Sequence, residues 1–532
     1  MCKNIVIYYK DKSKEKVSNV DLKLFDTSIT FNLPSDKNID EYISSEIIPE
    51  LNKTEISVIY IKDSLSSNYL ELYGLRVAYH IRLSQELRNK IYMPIVILSD
   101  IDSHILNKLS TMARILFTKN IFIVKNTKEN INKFQNKLEC KILAEDEYKT
   151  KFLNLIEIEA AKESHHDIAN KWAIHRWAEI IKAKSDVLII NENSIKSMLY
   201  FKYLLALYPE DESKSIGYKR PKLSGKILYI DDEWNKGWDD IFTEYFKNTN
   251  IEYKTFTKKD FSNTNVYSLR KEIKEYINVY NPDVILLDLR LIANDHSGNN
   301  RDNLENYTGI QIREAIAEVN PGIQVIMFTA TSKSLILEEL YKHNILGYIK
   351  KEHLEDKSLN TKENIGKLAK LIDEGLERKY LKKIWNIRNS ILELEILKNK
   401  DFEPLRFEIE SIFELLDSSM NKRFIYAMLS IFQALEEINN YYIDDKTKGW
   451  RDGYTETEII GSGYTKQKIE AVLKRLNLLQ IYSLEISKIS RMRKDAIHPP
   501  QRGNYETPNN DDIVTWFKML QTILVEIDKC QN

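Results

Sequence analysis

The chain has 532 residues, 43% of them hydrophobic, enough for several separate cores and three or four domains. Its 78 basic and 79 acidic residues nearly cancel, so no global field draws it to nucleic acid or to an anionic membrane. Three widely spaced cysteines (Cys2, Cys140, Cys530) speak against a disulfide framework or a zinc ribbon and fit a reducing, cytoplasmic setting, and neither a signal peptide nor a membrane span is expected.

Residues 1–145 alternate short apolar runs with helical spacing. NIVIYY, ISVIYI, MPIVILS and NIFIVK are rich in β-branched residues, as buried parallel strands are, and YGLRVAYHIRLSQEL between them is spaced as a helix. Residues 146–222 read as a helical linker region. A long charged helix, LNLIEIEAAKESHHDIANKWAIHRWAEIIK, precedes the apolar VLII and a helix near 195–207, and the polar DESKSIGYKRPKLSG marks a boundary. Within the linker, His166, Asp167 and Asn170 stand in the order H-D-x-x-N, which resembles the phosphorylation box of histidine kinases. No ATP-binding sequence accompanies it, since GSGYTKQK near 461 lacks the Walker spacing, and Trp172 and Trp177 read as packing residues of a helical pair.

Residues 223–356 return to alternation. KILYID, EYKTFT, DVILLD, IQVIMFT and GYIK predict a second doubly wound parallel sheet. The first of these strands ends in Asp231, Asp232 and Glu233, which repel one another. Such a run is either a solvated acidic turn or a carboxylate pair for a metal ion. Ligands of doubly wound sheets gather at the carboxyl ends of the strands, and the residues there are Asp231 and Asp232, Asp288, Thr329, and the pair Lys350–Lys351. Three carboxylates suit Mg²⁺, a hard ion that favours oxygen. A phosphoryl group on one of them would meet a metal, a hydroxyl and an ammonium, the electrostatic clamp that phosphoryl transfer needs.

This pattern resembles the receiver domain of two-component response regulators, over residues 226–352. The resemblance implies that Asp231 and Asp232 bind the metal, with Asp288 and the main-chain carbonyl of Arg290 as further ligands. It implies Asp288 as phosphoacceptor, Thr329 as switch hydroxyl, Tyr348 as switch aromatic and Lys351, three residues after that aromatic, as the phosphoryl-binding lysine. A partner histidine kinase, a phosphorelay and Mg²⁺ as cofactor come with it. Two departures stand out: the polar LRLIANDHSGNNRDNLENYT between Asp288 and Gly309 is longer than the usual connection, and Glu352 replaces the usual proline.

Laid over this domain, the first sheet places Lys62 at Asp288, Ser99 at Thr329 and Lys125 at Lys351, and NIVIYYKD ends without an acidic pair. The first domain is therefore expected to be a degenerate receiver, with Asp63 the one residue that would overturn this and an unrelated α/β domain as the alternative. The expected fold class is α/β plus all-α: two flavodoxin-like doubly wound domains, the first degenerate and the second an intact receiver, followed by a helical bundle.

No strand is expected after residue 357: residues 357–400 read as a linker helix and 401–532 as the bundle. RMRKDAIHPP, with NNDDIVTWFKMLQTILVEI after it, resembles HEPN domains, whose signature is an arginine, four to six residues, then histidine. Arg493 with His498 fits the shorter spacing, Arg491 with His498 the longer. In active members, which are dimeric, metal-independent ribonucleases, such a pair acts on the scissile phosphate. Lys494 and Asp495 stand where those members carry a small polar residue, so a non-catalytic output or dimerisation bundle is the other reading, and a helix end before Pro499 and Pro500 a third. TKQKIEAVLKRLNLLQIYSLEIS can be read as a DNA-recognition helix and wing, but it has no basic surplus, and the spacing of Ile469, Val472, Leu473 and Leu476 is that of any bundle helix. The whole resembles regulators of two-component-like antiphage defence systems such as Detocs: a phosphorylation-dependent signalling protein, a homodimer in some readings, acting on a protein or RNA target and on no membrane. A receiver-controlled RNA-cutting effector and a phosphate sink without output are the alternatives.

Overall fold

Each β-branched run of the two alternating regions becomes a short strand with parallel neighbours, as its burial on both faces requires. The computed structural model describes residues 3–10, 19–160, 165–209, 217–258, 260–261, 264–296, 304–330, 344–351, 361–444, 446–447, 449–453, 465–497 and 506–531. They form two compact units, Met1–Tyr218 with Lys236–Glu244 and Glu352–Thr361, and Lys219–Asn235 with Tyr245–Lys351 and Lys362–Asn532.

The first unit holds β1 (Asn4–Tyr9), β2 (Thr27–Phe31), β3 (Val58–Lys62), β4 (Ile95–Leu98) and β5 (Ile121–Val124), all parallel, in the order β2-β1-β3-β4-β5. This is the flavodoxin-like order. The edge strand β2 is half exposed and was not legible as an apolar run. Helix Tyr73–Leu83 is buried almost along its whole length against one face, and its Gly74 lies so close to the end of β3 that an added Cβ would meet the Lys62 carbonyl oxygen at 2.1 Å.

The linker region differs from its sequence reading. Instead of one long helix, Glu145–Lys151 is helical and 156–160 belongs to no helix or strand, with Ile156 and Ile158 buried and Glu157 and Glu159 exposed. That period of two overrides the charge pattern. The next helix is His165–Ile181, and VLII lies inside helix Asp186–Ser197, whose first turn is capped by the Ser185 hydroxyl accepting from Leu188 N at 3.3 Å. Trp177 packs edge-on against Trp238 at 5.8 Å, and Trp238 Nε1 donates to Asn170 Oδ1 at 2.8 Å, so these residues are packing groups. The side chain of His166 lies outside the described residues. Cys140 is disulfide-bonded, where its spacing predicts a free thiol, while Cys530 is free and exposed.

The second unit holds β6 (Gly225–Ile230), β7 (Ile251–Thr255), β8 (Val284–Leu287), β9 (Gln324–Thr329) and β10 (Gly347–Lys350), parallel, in the order β7-β6-β8-β9-β10. Helices Val266–Tyr280 and Thr308–Val319 contribute to one apolar cluster against the sheet. Helix Thr361–Glu377 covers the other face, and glycines let it come close: a Cβ at Gly225 would meet Leu376 at 2.3 Å, one at Gly347 Leu371 at 2.8 Å.

Helices Tyr380–Leu392, Glu403–Asp417, Arg423–Tyr442, Thr465–Arg475, Leu479–Ile497 and Asn510–Gln531 surround a single apolar core that includes Ile384, Ile409, Ile431 and Trp516. The segment TKQKIEAVLKRLNLLQIYSLEIS forms bundle helices and no wing. IYSLEIS lies inside helix Leu479–Ile497, which buries Ile486, Ile489 and Met492 at helical spacing. Helix Tyr380–Leu392 is tied to the sheet: Lys382 Nζ donates to the carbonyls of Asn281 (3.0 Å) and Pro282 (3.1 Å) and pairs with Asp283, while Asn320 Nδ2 donates to Lys382 O (3.1 Å). Among the described residues no helix is long and apolar enough to cross a membrane.

Candidate functional site

Register brings the acidic residues of the second sheet together. Ile230 faces Leu287 across β6 and β8, so the next residues along the two strands, Asp231 and Asp288, emerge side by side, and Asp288 N donates to Ile230 O at 3.0 Å. Oxygens of Asp231, Asp232 and Asp288 all lie within 4.8 Å of one another. The chain next to β10 supplies the counter-charge. Lys351 Nζ donates to Asp231 Oδ2 at 2.7 Å and reaches Asp288 Oδ2 at 3.5 Å. Lys351 is 2% exposed, Asp231 0% and Asp288 6%, so these three charges are buried, while Asp232 is partly exposed.

One ammonium does not satisfy three carboxylates. Burial, and after it the charges of Asp231, Asp288 and Glu233, pushes Asp232 up to about 8. Burial also raises Asp288, to about 7; Lys351 pulls against that and Asp231 adds to it. For Lys351, burial disfavours the ammonium, but Asp231, Asp288 and Glu233 outweigh it and hold its pKa above the ordinary lysine value. A site with excess negative charge and three carboxylate oxygens within reach of one point suits a hard divalent cation.

Other groups hold the carboxylates in place. Asp231 Oδ1 accepts from Glu233 N at 2.7 Å, and Asp288 Oδ1 accepts from Leu289 N at 2.7 Å. The hydroxyl of Tyr229, two residues before Asp231 and wholly buried, donates to Asp231 Oδ2 at 2.5 Å. Sequence reasoning missed Tyr229, although its place two residues before an acid on a strand puts it on the same face. Outer partners that orient metal-binding carboxylates are commonly worth ten- to hundred-fold in affinity. Tyr229→Phe is therefore expected to weaken Mg²⁺ binding by about ten-fold, measured by calorimetric titration, and to lower the metal-free melting temperature by a few degrees, since a buried hydrogen bond to a charged group is worth about 1.5–3 kcal/mol.

Thr329, the last residue of β9, is 2% exposed, and Lys351 N donates to its carbonyl at 2.7 Å. Tyr348 on β10 is half buried, with the Lys367 ammonium of helix Thr361–Glu377 4.4 Å from its ring centroid. The Arg290 guanidinium lies 5.7 Å from the Tyr307 ring. The lengthened segment after Asp288 is tied at its described ends by a residue the sequence reading passed over. Buried Asp295 accepts from Leu291 N (2.9 Å), Ile292 N (3.3 Å), Thr308 N (3.1 Å) and Thr308 Oγ1 (3.1 Å).

The first sheet repeats the frame with other side chains. Gly74 N donates to Asp63 O at 2.9 Å as Gly309 N donates to Leu289 O at 3.0 Å, which puts Lys62 at the place of Asp288. Tyr8 and Tyr9 then stand level with Asp231 and Asp232. Ser99 matches Thr329, but the lysine assignment needs a one-residue correction. Leu98 pairs with Val124 and Phe328 with Ile349, so Lys125 matches Lys350, and Asn126 takes the place of Lys351. Lys125 is exposed; the buried ammonium of this pocket comes from Lys62.

The C-terminal arginines stand apart from each other in role. Arg491 is exposed and pairs with Glu506. Arg493 lies over the Phe432 ring at 4.8 Å, with Glu436 3.8 Å away. His498 lies outside the described residues.

The family model described as an inactive receiver domain matches residues 11–124. No curated protein matches the chain. Among solved structures, the signal receiver domain of a putative LuxO repressor protein from Vibrio parahaemolyticus is 16% identical, covering 30% of this chain and 95% of its own, with a TM-score of 0.21. NtrX from Brucella abortus, solved in complex with ATP, is 19% identical, covering 36% of this chain and 35% of its own, with a TM-score of 0.21. Residues 11–124 are thus similar to inactive receiver domains, and the sheet they contribute to has parallel strands in the order β2-β1-β3-β4-β5.

Proposed function

We propose that the protein is a phosphorylation-dependent, response-regulator-like signalling protein whose second α/β domain accepts a phosphoryl group on Asp288 from a partner histidine kinase. The observation that carries this reading is the convergence of Asp231, Asp232 and Asp288 within 4.8 Å of one another, with the Lys351 ammonium between two of them. A carboxylate oxygen of Asp288 attacks phosphorus, the bond from phosphorus to the donor imidazole breaks, and the imidazole leaves with its electron pair. Lys351 stands beside Asp288 to neutralise charge on the phosphoryl oxygens, and Thr329 at the end of the next strand is the hydroxyl that turns inward to them. Asp231, Asp232, Asp288 and the Arg290 carbonyl are the ligands assigned to Mg²⁺, which when bound offsets the repulsion that raises Asp232 and Asp288.

The first domain is read as a receiver that has lost this chemistry, because Lys62, Tyr8 and Tyr9 replace the acceptor and the acidic pair. The C-terminal helices are read as the output or dimerisation part. Tyr348, in contact with Lys367 on the helix that precedes them, is the candidate relay. The HEPN-like ribonuclease and antiphage readings rest on the resemblance of RMRKDAIHPP and of the domain order alone.

The test is treatment with acetyl phosphate and Mg²⁺ and then measurement of intact mass. One added phosphoryl group is expected on the wild type and none on Asp288→Ala. An adduct that persists in Asp288→Ala, or none on either protein, rejects the assignment. A phosphorylated wild type then allows dimerisation and RNA cleavage to be measured directly.

A further inference from the structure

The first α/β domain does more than lack an acceptor: its pocket contains an anion of its own. Asp63 is 2% exposed, and three donors close on its carboxylate. Lys62 Nζ donates to Oδ1 at 2.6 Å, Ser64 N donates to Oδ1 at 2.7 Å, and Ser99 Oγ donates to Oδ2 at 2.5 Å. An ammonium, a main-chain N–H and the hydroxyl at the switch position are the kinds of donor that a phosphoryl group on Asp288 would find in the second domain, from Lys351, the main chain and Thr329. Lys62 and Ser99 are 5% and 3% exposed, so the Lys62–Asp63 pair is shielded from water, and at the rim of the pocket Lys62 Nζ also reaches Oδ2 of the exposed Asp100 at 3.4 Å.

We propose that Asp63 is a built-in stand-in for the phosphoryl group, which holds the first domain permanently in the arrangement that a phosphorylated receiver adopts. This rests on reading that domain as a receiver without an acceptor. The coupling runs through Ser99. Its hydroxyl, drawn inward to Asp63, lies 3.1 Å from the carbonyl of Ile101 and accepts from Ile101 N at 3.0 Å. The turn from β4 into helix Ser103–Leu109 is thereby fixed at its first residue, and Asp102 caps that helix by accepting from His104 N at 2.9 Å. A switch needs two arrangements of similar free energy. Here the anion is covalently part of the chain, so one arrangement is always selected.

The experiment is hydrogen exchange of the full-length protein, resolved to residues 99–110 and 344–351, with and without acetyl phosphate and Mg²⁺. In the wild type, residues 99–110 are expected to be protected and indifferent to acetyl phosphate, while 344–351 respond. Ser99→Ala is expected to speed exchange at Ile101–Leu109 at least ten-fold, with β1 and β3 unchanged. Ser99→Thr, which keeps the hydroxyl, is expected to restore protection. Asp63→Asn combined with Lys62→Met removes the anion and its ammonium together, avoiding a stranded buried charge, and is expected to loosen the same segment. Unchanged exchange at 101–109 in Ser99→Ala and in the double variant would overturn the stand-in while leaving the acceptorless reading intact. A wild-type response of 99–110 to acetyl phosphate that survives Asp288→Ala would instead overturn the acceptorless reading itself.

Discussion

Lys351→Met is expected to abolish phosphorylation of the second domain and to lower its metal-free melting temperature by roughly 10 °C. Removing one partner of a buried ion pair costs about 3–5 kcal/mol, and in a unit of this size each kcal/mol shifts the transition by about 2–4 °C. The cost is large because Lys351 is the cation seen bonded to wholly buried Asp231, and it also reaches Asp288. Lys350→Met, one residue earlier, is the control. Lys350 is half buried at the end of β10, and its replacement leaves the bonds of Lys351 to the carboxylates in place, so phosphorylation is expected to survive it. Differential scanning fluorimetry and intact mass on the two variants decide the matter. Equal effects would mean that the lysine has been assigned to the wrong position.

The second large effect is on pH. Asp288 and Asp232 are raised to about 7 and about 8 in the folded protein, against 3.8 for an ordinary aspartate. Between these values the folded state binds protons that the unfolded chain has released. The stabilisation is therefore complete below about pH 4 and is lost as pH rises through 7 and 8. For the metal-free protein this site alone makes pH 5 more favourable than pH 8. Mg²⁺ should oppose the trend, because it binds the deprotonated carboxylates. At a hundred times its dissociation constant a ligand adds about 2.7 kcal/mol, so Mg²⁺ is expected to raise the melting temperature several degrees at pH 8 and hardly at all at pH 5. Asp232→Asn should flatten both dependences. A metal-free protein whose second unit loses no stability between pH 5 and pH 8 would contradict the geometry of the carboxylates.

Much of this was legible in the sequence, for a physical reason. Strands buried on both faces of a parallel sheet must be short apolar runs, and the residues at their carboxyl ends must all lie at the same edge. Reading the ends of DVILLD, IQVIMFT and GYIK therefore pointed to Asp288, Thr329 and the pair Lys350–Lys351 before any geometry was known, and the resemblance to receiver domains singled out Lys351. Elements whose burial is one-sided were harder. β2 (TSITF) exposes its first residues at the sheet edge and lacks a continuous apolar run. LNLIEIE carries enough charge to look like part of a long helix, although its alternate isoleucines are buried in a segment without regular structure. IYSLEIS alternates like a strand, yet a helix forms because the residues that reach the core are Ile486, Ile489 and Met492. The site's supporting bonds were not legible. Nothing in the spacing of Tyr229, Asp295 or Asp63 says which donors surround them, and a comparison of NIFIVK with GYIKK cannot detect the one-residue offset that puts Asn126, and not Lys125, opposite Lys351.

The attachment of Lys382 bears on how portable the second domain is. Its ammonium is the cation that pairs with Asp283 at the start of β8 and gathers the carbonyls of Asn281 and Pro282, while Gly322 leaves no room for a Cβ beside the Lys382 backbone. A fragment cut at the end of helix Thr361–Glu377 would keep every acceptor residue and still lose a structural plug from the far end of its sheet. Grafts that exchange this receiver for another, or that express it alone, should carry residues 380–392 along as part of the module.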